Sequence, residues 1–320
     1  MAVSERDLDA ALDAVLGSGS ELAPAAAGLS AAYRSGLRPG QLLDDPTAAR
    51  AYAAVRMPAT FAAVRAALRA AGPDLRPATV LDLGGGTGAA IWAAAATLPS
   101  LLSARVLDGA SPALALGRAL AARAPDAVLA GATWTQARWP AELPEADLVT
   151  LAYFVGELRA EEQVAVVGAA AERAGAVAVV EPGTPAGFGD LLRARETLLG
   201  KGFRIVAPCP HDLACPWAAG PDWCHFPARL SRSARHRQIK GARLGWEDEK
   251  FSYVVAVRDG ADRPSGRIVR HPFQRKGMVE LTVCAGARPG VERVIVSKRR
   301  GADYKAARDA GWGDAWPPHP

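Results

Sequence analysis

Four cysteines are the residues of this 320-residue chain with the most specific chemistry. Three of them, Cys209, Cys215 and Cys224, lie close together among prolines, and the fourth, Cys284, follows sixty positions later. Four thiolates can complete a tetrahedral metal site or hold an iron-sulfur cluster, with one ligand supplied from a distant segment. The cysteines therefore predict a metal centre on these four residues.

The spacing of the cysteines favours an iron-sulfur cluster over zinc. Structural zinc sites usually draw on pairs of closely spaced cysteines, because each hairpin delivers two thiolates to one ion. Here the spacing is C-x5-C-x8-C followed by one remote cysteine, which suits a cluster held by four thiolates. Zinc, and a set of core thiols without metal, remain the alternatives.

A glycine-rich segment is the second candidate site. Asp82 opens an Asp-x-Gly-x-Gly-x-Gly pattern, in which Gly84, Gly86 and Gly88 lie between a short apolar run and a helical run. Glycine lets the backbone turn sharply and approach a ligand without an intervening Cβ. Twenty residues beyond the last glycine, Asp108 ends the next apolar run, where a carboxylate can accept both hydroxyls of a ribose.

This pattern resembles motif I of the class I S-adenosylmethionine (SAM) methyltransferases. It lacks both the Gly-x-Gly-x-x-Gly of dinucleotide enzymes and the Lys-Ser/Thr of a phosphate-binding loop. The resemblance implies that Asp82 and the glycines surround the methionine and ribose of SAM, and that Asp108 binds the ribose. The alternatives are a nicotinamide-binding domain and, for Asp108, a helix-capping role ahead of Ser111.

The sequence does not identify catalytic residues. The segment around Tyr153 reads Leu-Ala-Tyr-Phe-Val-Gly-Glu-Leu, without the Asn/Asp-Pro-Pro-Tyr/Phe that amino-group methyltransferases use to orient the target nitrogen. The Pro208-Cys209 pair is similar to the nucleophile of cytosine-C5 enzymes, but the neighbouring cysteines explain Cys209 better as a ligand. SAM binding is therefore better supported than methyl transfer.

A basic segment without acidic residues follows the clustered cysteines, between Trp223 and Trp246. Six cations in it recur at intervals that predict one broad helix face: Arg229, Arg232, Arg235, Arg237, Lys240 and Arg243. Such a face would contact phosphates rather than read bases. A solvated helix is the alternative, although exposed helices usually interleave Glu with Lys. We expect His211 and His225 to surround the metal ligands or to face RNA.

Charge is distributed unevenly along the chain. Residues 1–205 contain 18 basic and 21 acidic side chains, whereas residues 206–320 contain 20 and 12, which gives net charges of −3 and +8. The basic half predicts a polyanionic partner, most simply RNA. No long apolar run predicts a membrane span, and the acidic N-terminus resembles neither a secretory signal nor a transit peptide. We therefore expect a bacterial cytoplasmic protein with reduced thiols.

The hydrophobic pattern divides the chain into three parts. We expect a helical N-terminal cap over 1–76, a SAM-binding Rossmann-like domain over 77–205 and a cysteine-containing basic region over 206–320. Strands alternate with helical runs in the middle part, including a possible third strand at Ala127–Ala130, and this alternation is typical of a parallel sheet covered on both faces. The predicted fold class is α/β, and three further strands are expected to close the chain.

Nearly the whole chain resembles the ribosomal small-subunit methyltransferase-like proteins of mitochondria and many bacteria, which assist assembly of that subunit. The matching stretches, besides the glycine loop, are Arg56-Met57-Pro58-Ala59-Thr60, Glu181-Pro182-Gly183-Thr184-Pro185-Ala186-Gly187-Phe188, Cys209-Pro210-His211-Asp212, Asp222-Trp223-Cys224-His225-Phe226, Glu247-Asp248-Glu249-Lys250-Phe251-Ser252-Tyr253, Tyr304-Lys305 with Arg308, and Trp312-Gly313-Asp314.

This resemblance implies a 4Fe-4S cluster on Cys209, Cys215, Cys224 and Cys284, a bound SAM, and docking on small-subunit ribosomal RNA during ribosome assembly. It implies a probable rRNA methyltransferase whose chemistry is open, since some members act without demonstrated methyl transfer. The alternatives are a non-catalytic assembly factor that uses SAM and the cluster structurally, and a small-molecule methyltransferase. We expect a monomer when the protein is off the ribosome.

Overall fold

The computed structural model describes residues 3–17, 19–34, 43–260, 262–288 and 290–318. The helices are α1 (Glu5–Leu16), α2 (Ala23–Arg34), α3 (Pro46–Val55), α4 (Met57–Ala70), α5 (Ala89–Ala95), α6 (Ser111–Ala121), α7 (Ala127–Ala130), α8 (Ala160–Arg173), α9 (Pro185–Gly200), α10 (Ala234–Lys240) and α11 (Ala302–Asp309). The strands are β1 (Thr79–Leu83), β2 (Ser103–Asp108), β3 (Thr133–Gln136), β4 (Ala146–Ala152), β5 (Ala174–Pro182), β6 (Arg204–Ala207), β7 (Phe226–Ser231), β8 (Trp246–Val257), β9 (Gly266–Ile268), β10 (Phe273–Arg275), β11 (Met278–Ala285) and β12 (Val291–Ser297).

The N-terminal part is helical, as the sequence predicts. Ser4 caps α1 and forms a capping box with Asp7, which satisfies backbone N–H groups that the first helical turn leaves free. Helix α3 ends at Val55 and α4 begins at Met57, because the proline at position 58 lacks the N–H needed inside a helix but is tolerated in its first turn. Helix α4 is buried along most of its length and packs against α5 and β8.

The main sheet has eight strands in the order β3-β2-β1-β4-β5-β8-β6, with β7 paired to β8. Strands β1 to β5 pair in parallel, whereas β8 runs antiparallel to β5, β6 and β7. The predicted α/β fold class, with parallel strands β1 to β5 at its centre, is confirmed. The sheet is mixed because β8 returns from the C-terminal half of the chain.

The third strand lies later in the chain than the sequence suggests. Ala127–Ala130, expected as a strand, is the short helix α7, and β3 follows at Thr133–Gln136. The Asp126 side chain accepts hydrogen bonds from the backbone N–H groups of Val128 and Leu129, which caps the helix. Four apolar residues are too few for their pattern to distinguish a strand from a helix.

The basic segment is a strand, a turn and a short helix, so the prediction of one helix face is wrong. Arg229 lies on β7, Arg232 lies in the turn, and only Arg235, Arg237 and Lys240 lie on α10. Arg243 follows in the turn that leads into β8. Residues 226–231 form a strand because they complete an antiparallel ladder with residues 246–251 of β8, and this pairing outweighs local propensity.

A second, four-stranded sheet closes the chain with the order β10-β11-β12, and β9 pairs with β11. One face packs Ile268, Val279, Leu281 and Val283 against Ala307 of α11. The three predicted closing strands are β8, β11 and β12. Because β8 lies between β5 and β6, the main sheet includes residues from both sides of the predicted boundary at 205. Among the described residues, no helix is both long and apolar enough to span a membrane.

Candidate cofactor cavity and cysteine cavity

The glycine loop turns directly after β1 and leads into α5. Gly84, Gly86 and Gly88 all have positive φ angles, of 68°, 51° and 82°, a backbone conformation that side chains with a Cβ adopt only with strain. A Cβ on Gly84 would lie 2.2 Å from the Phe154 ring, and one on Gly88 would lie 2.6 Å from Trp134. The loop therefore requires glycine for its conformation and for close packing.

This loop borders a cavity of about 260 Å³ at the carboxyl ends of β1, β2 and β4. The predicted cofactor residues Asp82, Gly84, Gly86 and Asp108 line it together. Gly88 lies outside the lining and starts α5. The structure thus brings four of the five predicted residues to one cavity at a strand edge, where parallel α/β sheets bind ligands.

Asp108 supports the glycine loop from the end of β2. Its Oδ2 accepts a hydrogen bond of 2.8 Å from the Gly86 N–H, and its Oδ1 accepts one of 2.7 Å from the Ala110 N–H. Burial raises the pKa of the Asp108 carboxyl, while these two bonds and nearby Arg138 oppose the shift. Neither bond satisfies the first turn of α6, whose N-cap is Ala110, so Asp108 does not serve as that helix's cap.

Asp82 is a buried carboxyl with one oxygen available to a ligand. Its side chain is 1% exposed, and its Oδ1 accepts a hydrogen bond of 2.7 Å from the Thr150 hydroxyl. Among the residues that the structure describes, its Oδ2 has no hydrogen-bond partner. Burial raises the pKa of Asp82 to about 7, with the Thr150 bond opposing the shift. A buried acceptor without a partner is costly, so a donor or cation entering the cavity would be stabilised there.

The rim of the cavity contains a cluster that the sequence reading missed. Tyr153 follows β4 with a φ of 56°, and its hydroxyl donates a hydrogen bond of 2.9 Å to Glu249 of β8. Arg56, between α3 and α4, donates two bonds of 3.1 and 2.9 Å to the same carboxylate. This cluster joins the helical cap, the β4 edge and β8 beside the cavity. The sequence held one indication of this cluster, because Arg56 and Glu249 both lie in stretches that carry the family resemblance.

Glu181, at the end of β5, is a second buried carboxyl near the rim. It is 1% exposed, and its Oε1 accepts a hydrogen bond of 2.8 Å from the Val155 N–H. Burial raises its pKa to about 8, against hydrogen bonds from the backbone of Gly156 and Val155. The side chain therefore fixes the loop that follows Tyr153 and Phe154.

All four cysteines line a second, smaller cavity of about 30 Å³. They come from three places: Cys209 follows β6, Cys215 and Cys224 lie in the connection to β7, and Cys284 lies on β11. Burial raises the pKa of each thiol, to about 12 for Cys284, and for Cys224 and Cys284 the other cysteines raise it further. Thiols in such a site favour the thiolate only when a cation or metal is present to bind it.

The surroundings of this cavity are apolar and include one arginine. Phe188, Leu191, Trp217 and Val269 contribute to its lining. Arg195 is 3% exposed, and its guanidinium donates hydrogen bonds to the carbonyls of His211 and Leu213. It also lowers the pKa of Cys209 against the larger effect of burial.

The two predicted neighbouring histidines are both buried. The Nε2 of His211 lies 3.6 Å from the Cys284 sulfur, and the His225 ring stacks on Trp223. Burial lowers the pKa of both imidazoles. They therefore surround the cysteines and do not form an exposed RNA surface. Within the described ranges, no three His, Cys, Asp or Glu side chains lie close enough together to hold a single metal ion.

The predicted RNA-binding residues are mostly engaged in ion pairs with other elements. Arg229 donates two bonds of 2.8 Å to Asp248, Arg232 and Lys240 pair with Glu247, and Arg235 pairs with Asp9 and Asp13 of α1. The expected absence of counter-charges is wrong, because the acids come from β8 and the cap. Within the described part of the chain, only Arg237 and Arg243 of this set are exposed and make no ion pair.

The ion pairs also determine where α10 is held. Burial alone would raise the pKa of Glu247, but hydrogen bonds from His236, Arg232 and Lys240 hold it well below its usual range. Arg235 is 4% exposed, and α10 packs against α2 and α3. The basic helix is thus anchored on the N-terminal cap and β8.

Among solved structures, the chain resembles methyltransferases at low sequence identity. Magnesium protoporphyrin IX methyltransferase from Synechocystis with bound SAM is 18% identical, with a TM-score of 0.40, covering 62% of this chain and 78% of that one. Precorrin-6y C5,15-methyltransferase from Geobacter metallireducens is 17% identical, with a TM-score of 0.38, covering 62% and 86%.

Two kinds of curated relatives match by sequence. The mitochondrial ribosome assembly protein METTL17 of Homo sapiens is 29% identical over 292 residues, covering 83% of this chain and 62% of that protein. The mitochondrial Rsm22-cox11 tandem protein 2 of Schizosaccharomyces pombe is 31% identical over 187 residues, covering 45% of this chain and 24% of that protein. The chain therefore spans less than two thirds of either relative.

These relatives overturn one expectation. The prediction of a bacterial cytoplasmic protein is contradicted, because the matching relatives are named as mitochondrial proteins. The family model that matches is described as mitochondrial small ribosomal subunit Rsm22, and it covers residues 46–317. With that match over most of its length, the chain belongs to the Rsm22 family.

Proposed function

We propose that this protein is a SAM-binding, methyltransferase-like assembly factor that binds small-subunit ribosomal RNA. The observation that carries the proposal is the cavity beside the glycine loop. It combines a backbone that glycine alone can form, an acid at the end of β2, and a buried Asp82 oxygen without a partner. These features suit a ligand that has both a ribose and a cationic group.

The residues fit SAM in a specific arrangement. Asp108 has already accepted two backbone N–H bonds, and a carboxylate retains capacity for the two ribose hydroxyls. The free Oδ2 of Asp82 would accept a hydrogen bond from the ammonium of the methionine portion. Gly84 and Gly86 would allow the ligand to lie against the backbone. When bound, SAM supplies an activated methyl group.

The four cysteines are proposed to hold a 4Fe-4S cluster. Their convergence on one apolar cavity, from the connection between β6 and β7 and from β11, supports a shared ligand, and thiolates are the usual ligands of such clusters. Zinc is the alternative, and elemental analysis of purified protein distinguishes the two. The cluster is proposed as a structural link, since the thiols lie away from the glycine-loop cavity and line none of it.

A ribosomal partner is proposed because a relative is named for ribosome assembly and the matching family for the small ribosomal subunit. The excess of basic residues in 206–320 supports contact with its RNA. We propose that the protein is monomeric before it docks. Methyl transfer to the RNA is the second candidate, favoured by the strained Tyr153 at the cavity rim, since strained residues concentrate at functional sites.

The proposal is tested in two steps with the full-length protein. Calorimetry with SAM should show binding by the wild type and a loss of roughly 10-fold or more for Asp108→Ala, because both ribose hydroxyls lose a charged acceptor. Thr133→Ala, on exposed β3, is a matched surface control. Failure of the wild type to bind SAM contradicts the cofactor assignment.

The second step uses purified small-subunit particles. The wild type should co-sediment with them at moderate salt, and failure to do so would favour the small-molecule alternative. Labelled methyl from SAM then separates the two remaining functions: label in the RNA identifies a methyltransferase, and unlabelled RNA from particles that retain the protein identifies a non-catalytic assembly factor.

A further inference from the structure

The strongest excess of unpaired positive charge lies in the C-terminal sheet. Residues 266–300 contain nine basic and two acidic side chains. Arg270, Arg293 and Arg300 pair with Asp222, Glu280 and Asp303. Among the described residues of this segment, Arg275, Lys276, Lys298 and Arg299 are exposed and make no ion pair.

These four cations converge at one corner of the sheet. Arg275 ends β10 and Lys276 lies in the turn to β11, while Lys298 and Arg299 follow β12. The Lys298 N–H donates a hydrogen bond of 2.8 Å to the Gly277 carbonyl, which places the end of β12 directly beside that turn. These residues, although distant in sequence, thus form one cluster of cations, which we call the basic corner.

An open sheet face adjoins the basic corner. In the ladder Phe273 lies opposite Glu280, and Glu280 lies opposite Ile295. Directly opposed residues of antiparallel strands point to the same face, and this face is opposite the one that packs Val279 and Leu281 on α11. Phe273 is 49% exposed and Ile295 is 55% exposed. Arg275 lies over the Phe273 ring, 4.9 Å from its centroid.

We propose that this face binds a single-stranded segment of RNA, with one base stacked on Phe273 and phosphates held by the basic corner. Exposed aromatic rings on a sheet stack bases, and neighbouring cations bind the backbone. The inference rests on the proposed ribosomal function and assigns its RNA contact to residues 273–299. Charge selects RNA over a protein partner, because lysine is depleted in protein interfaces and the basic corner contains two lysines without acidic partners.

The test measures the affinity of the full-length protein for a short fluorescein-labelled oligouridylate over a range of salt. Phe273→Ala should weaken binding by roughly 5- to 100-fold, whereas Phe273→Trp should retain it, because the indole preserves the stacking surface. The double variant Lys276→Gln/Arg299→Gln should reduce the slope of log affinity against log salt by about 1.4, since each lost phosphate contact to a single strand removes about 0.7.

One matched double variant serves as the control. Arg123→Gln/Arg173→Gln removes two exposed cations outside the C-terminal sheet. It should bind the oligouridylate as the wild type does. Unchanged SAM binding in every variant shows that the fold is retained.

The proposal is overturned if the Phe273 and basic-corner variants bind the oligouridylate like the wild type. It is also overturned if they lose only co-sedimentation with small-subunit particles, since the face would then bind a protein. If the wild type binds oligouridylate through Phe273 but does not co-sediment with the particles, the RNA surface stands and the ribosomal function fails.

Discussion

The two cavities draw on the chain in different ways. The cofactor cavity takes its main polar groups from β1, β2 and the loop between β1 and α5, all within residues 82–108. The cysteine cavity takes its thiols from the end of β6, the connection to β7, and β11 of the second sheet. A ligand in the first cavity fills a preformed turn, whereas a ligand in the second joins the connection between β6 and β7 to strand β11 of the second sheet. Loss of the ligand from the cysteine cavity should therefore destabilise the fold more than loss of the ligand from the cofactor cavity.

The largest expected effect follows from Cys284→Ser. This change removes the proposed ligand on β11, so under the cluster proposal we expect loss of iron and a decrease in the free energy of unfolding on the order of several kcal/mol, as for loss of a structural metal. SAM affinity should change by less than about twofold, because additivity holds for separate sites. Iron analysis, thermal unfolding and calorimetry measure the three quantities.

Thr282→Ser, a change on the open face of the same strand, is the control for Cys284→Ser and should retain iron. If Cys284→Ser keeps its iron and its unfolding temperature, the cysteine cavity is not a shared ligand site, and the contrast between the cavities disappears.

Gly84→Ala is expected to have the reverse effect. Its φ of 68° strains any other residue, and the new Cβ would meet the Phe154 ring, so SAM affinity should fall by roughly 100-fold or more while iron content stays unchanged. Gly72→Ala has a similarly positive φ of 89° but no atom within 4 Å, and it controls for backbone strain alone. Equal loss of SAM binding in both variants would show that strain, and not the cavity, is responsible.

Asp82 predicts a pH dependence confined to the cofactor cavity. Its raised pKa of about 7 means that the carboxyl is neutral below that pH and ionised above it. The free protein therefore loses stability as the pH rises from about 4 through 7, since the unfolded carboxyl ionises near 3.9. A cationic group of SAM would bind the ionised form better, so affinity should rise by roughly 10-fold between about pH 6 and 7.5, before the ligand's amino group deprotonates.

Asp82→Asn should abolish this rise in affinity, and calorimetry at several pH values measures it. If Asp82→Asn retains the full pH dependence, another titratable group causes it, and Asp108 at the end of β2 is the next candidate in the cavity lining.

The smallest expected effect concerns the rim cluster. Arg56→Lys keeps the charge but removes the two-pronged contact with Glu249, so SAM affinity should fall by about 3- to 5-fold, with no effect on iron. Arg50→Lys, at an exposed pair with Glu21 in the same part of the chain, is the control. An Arg56→Lys variant with wild-type affinity would separate the cap from the cofactor cavity.

Local patterns explain which parts were predictable. The strand, glycine loop, helix and terminal acid lie in sequence order, so the location of Asp82, Gly84, Gly86 and Asp108 at one cavity was predictable, while their roles stay predictions. Gly88 was grouped with them although it packs on Trp134 and does not line the cavity. The convergence of the cysteines was predicted from residue type alone, because four thiols in a chain this long have few other uses.

Long-range pairing explains what could not be predicted. The acids that pair with Arg229, Arg232 and Arg235 come from β8 and α1, and Asp13 lies 222 residues before Arg235. Local charge counting cannot detect such partners. The basic corner was missed for the same reason, since the pairing of β11 with β12 and the bond from Lys298 to Gly277 bring its two halves together.

Strand β8 connects the rim cluster beside the cofactor cavity with the lining of the cysteine cavity. Glu249 holds the rim cluster of the first cavity, and Tyr253 and Val254 line the second. Because β8 is bonded on both sides within the main sheet, its amide protons should exchange with solvent only when the whole sheet opens. Exchange at this one strand would therefore slow when either cavity is filled, so its protection factors report the occupancy of both.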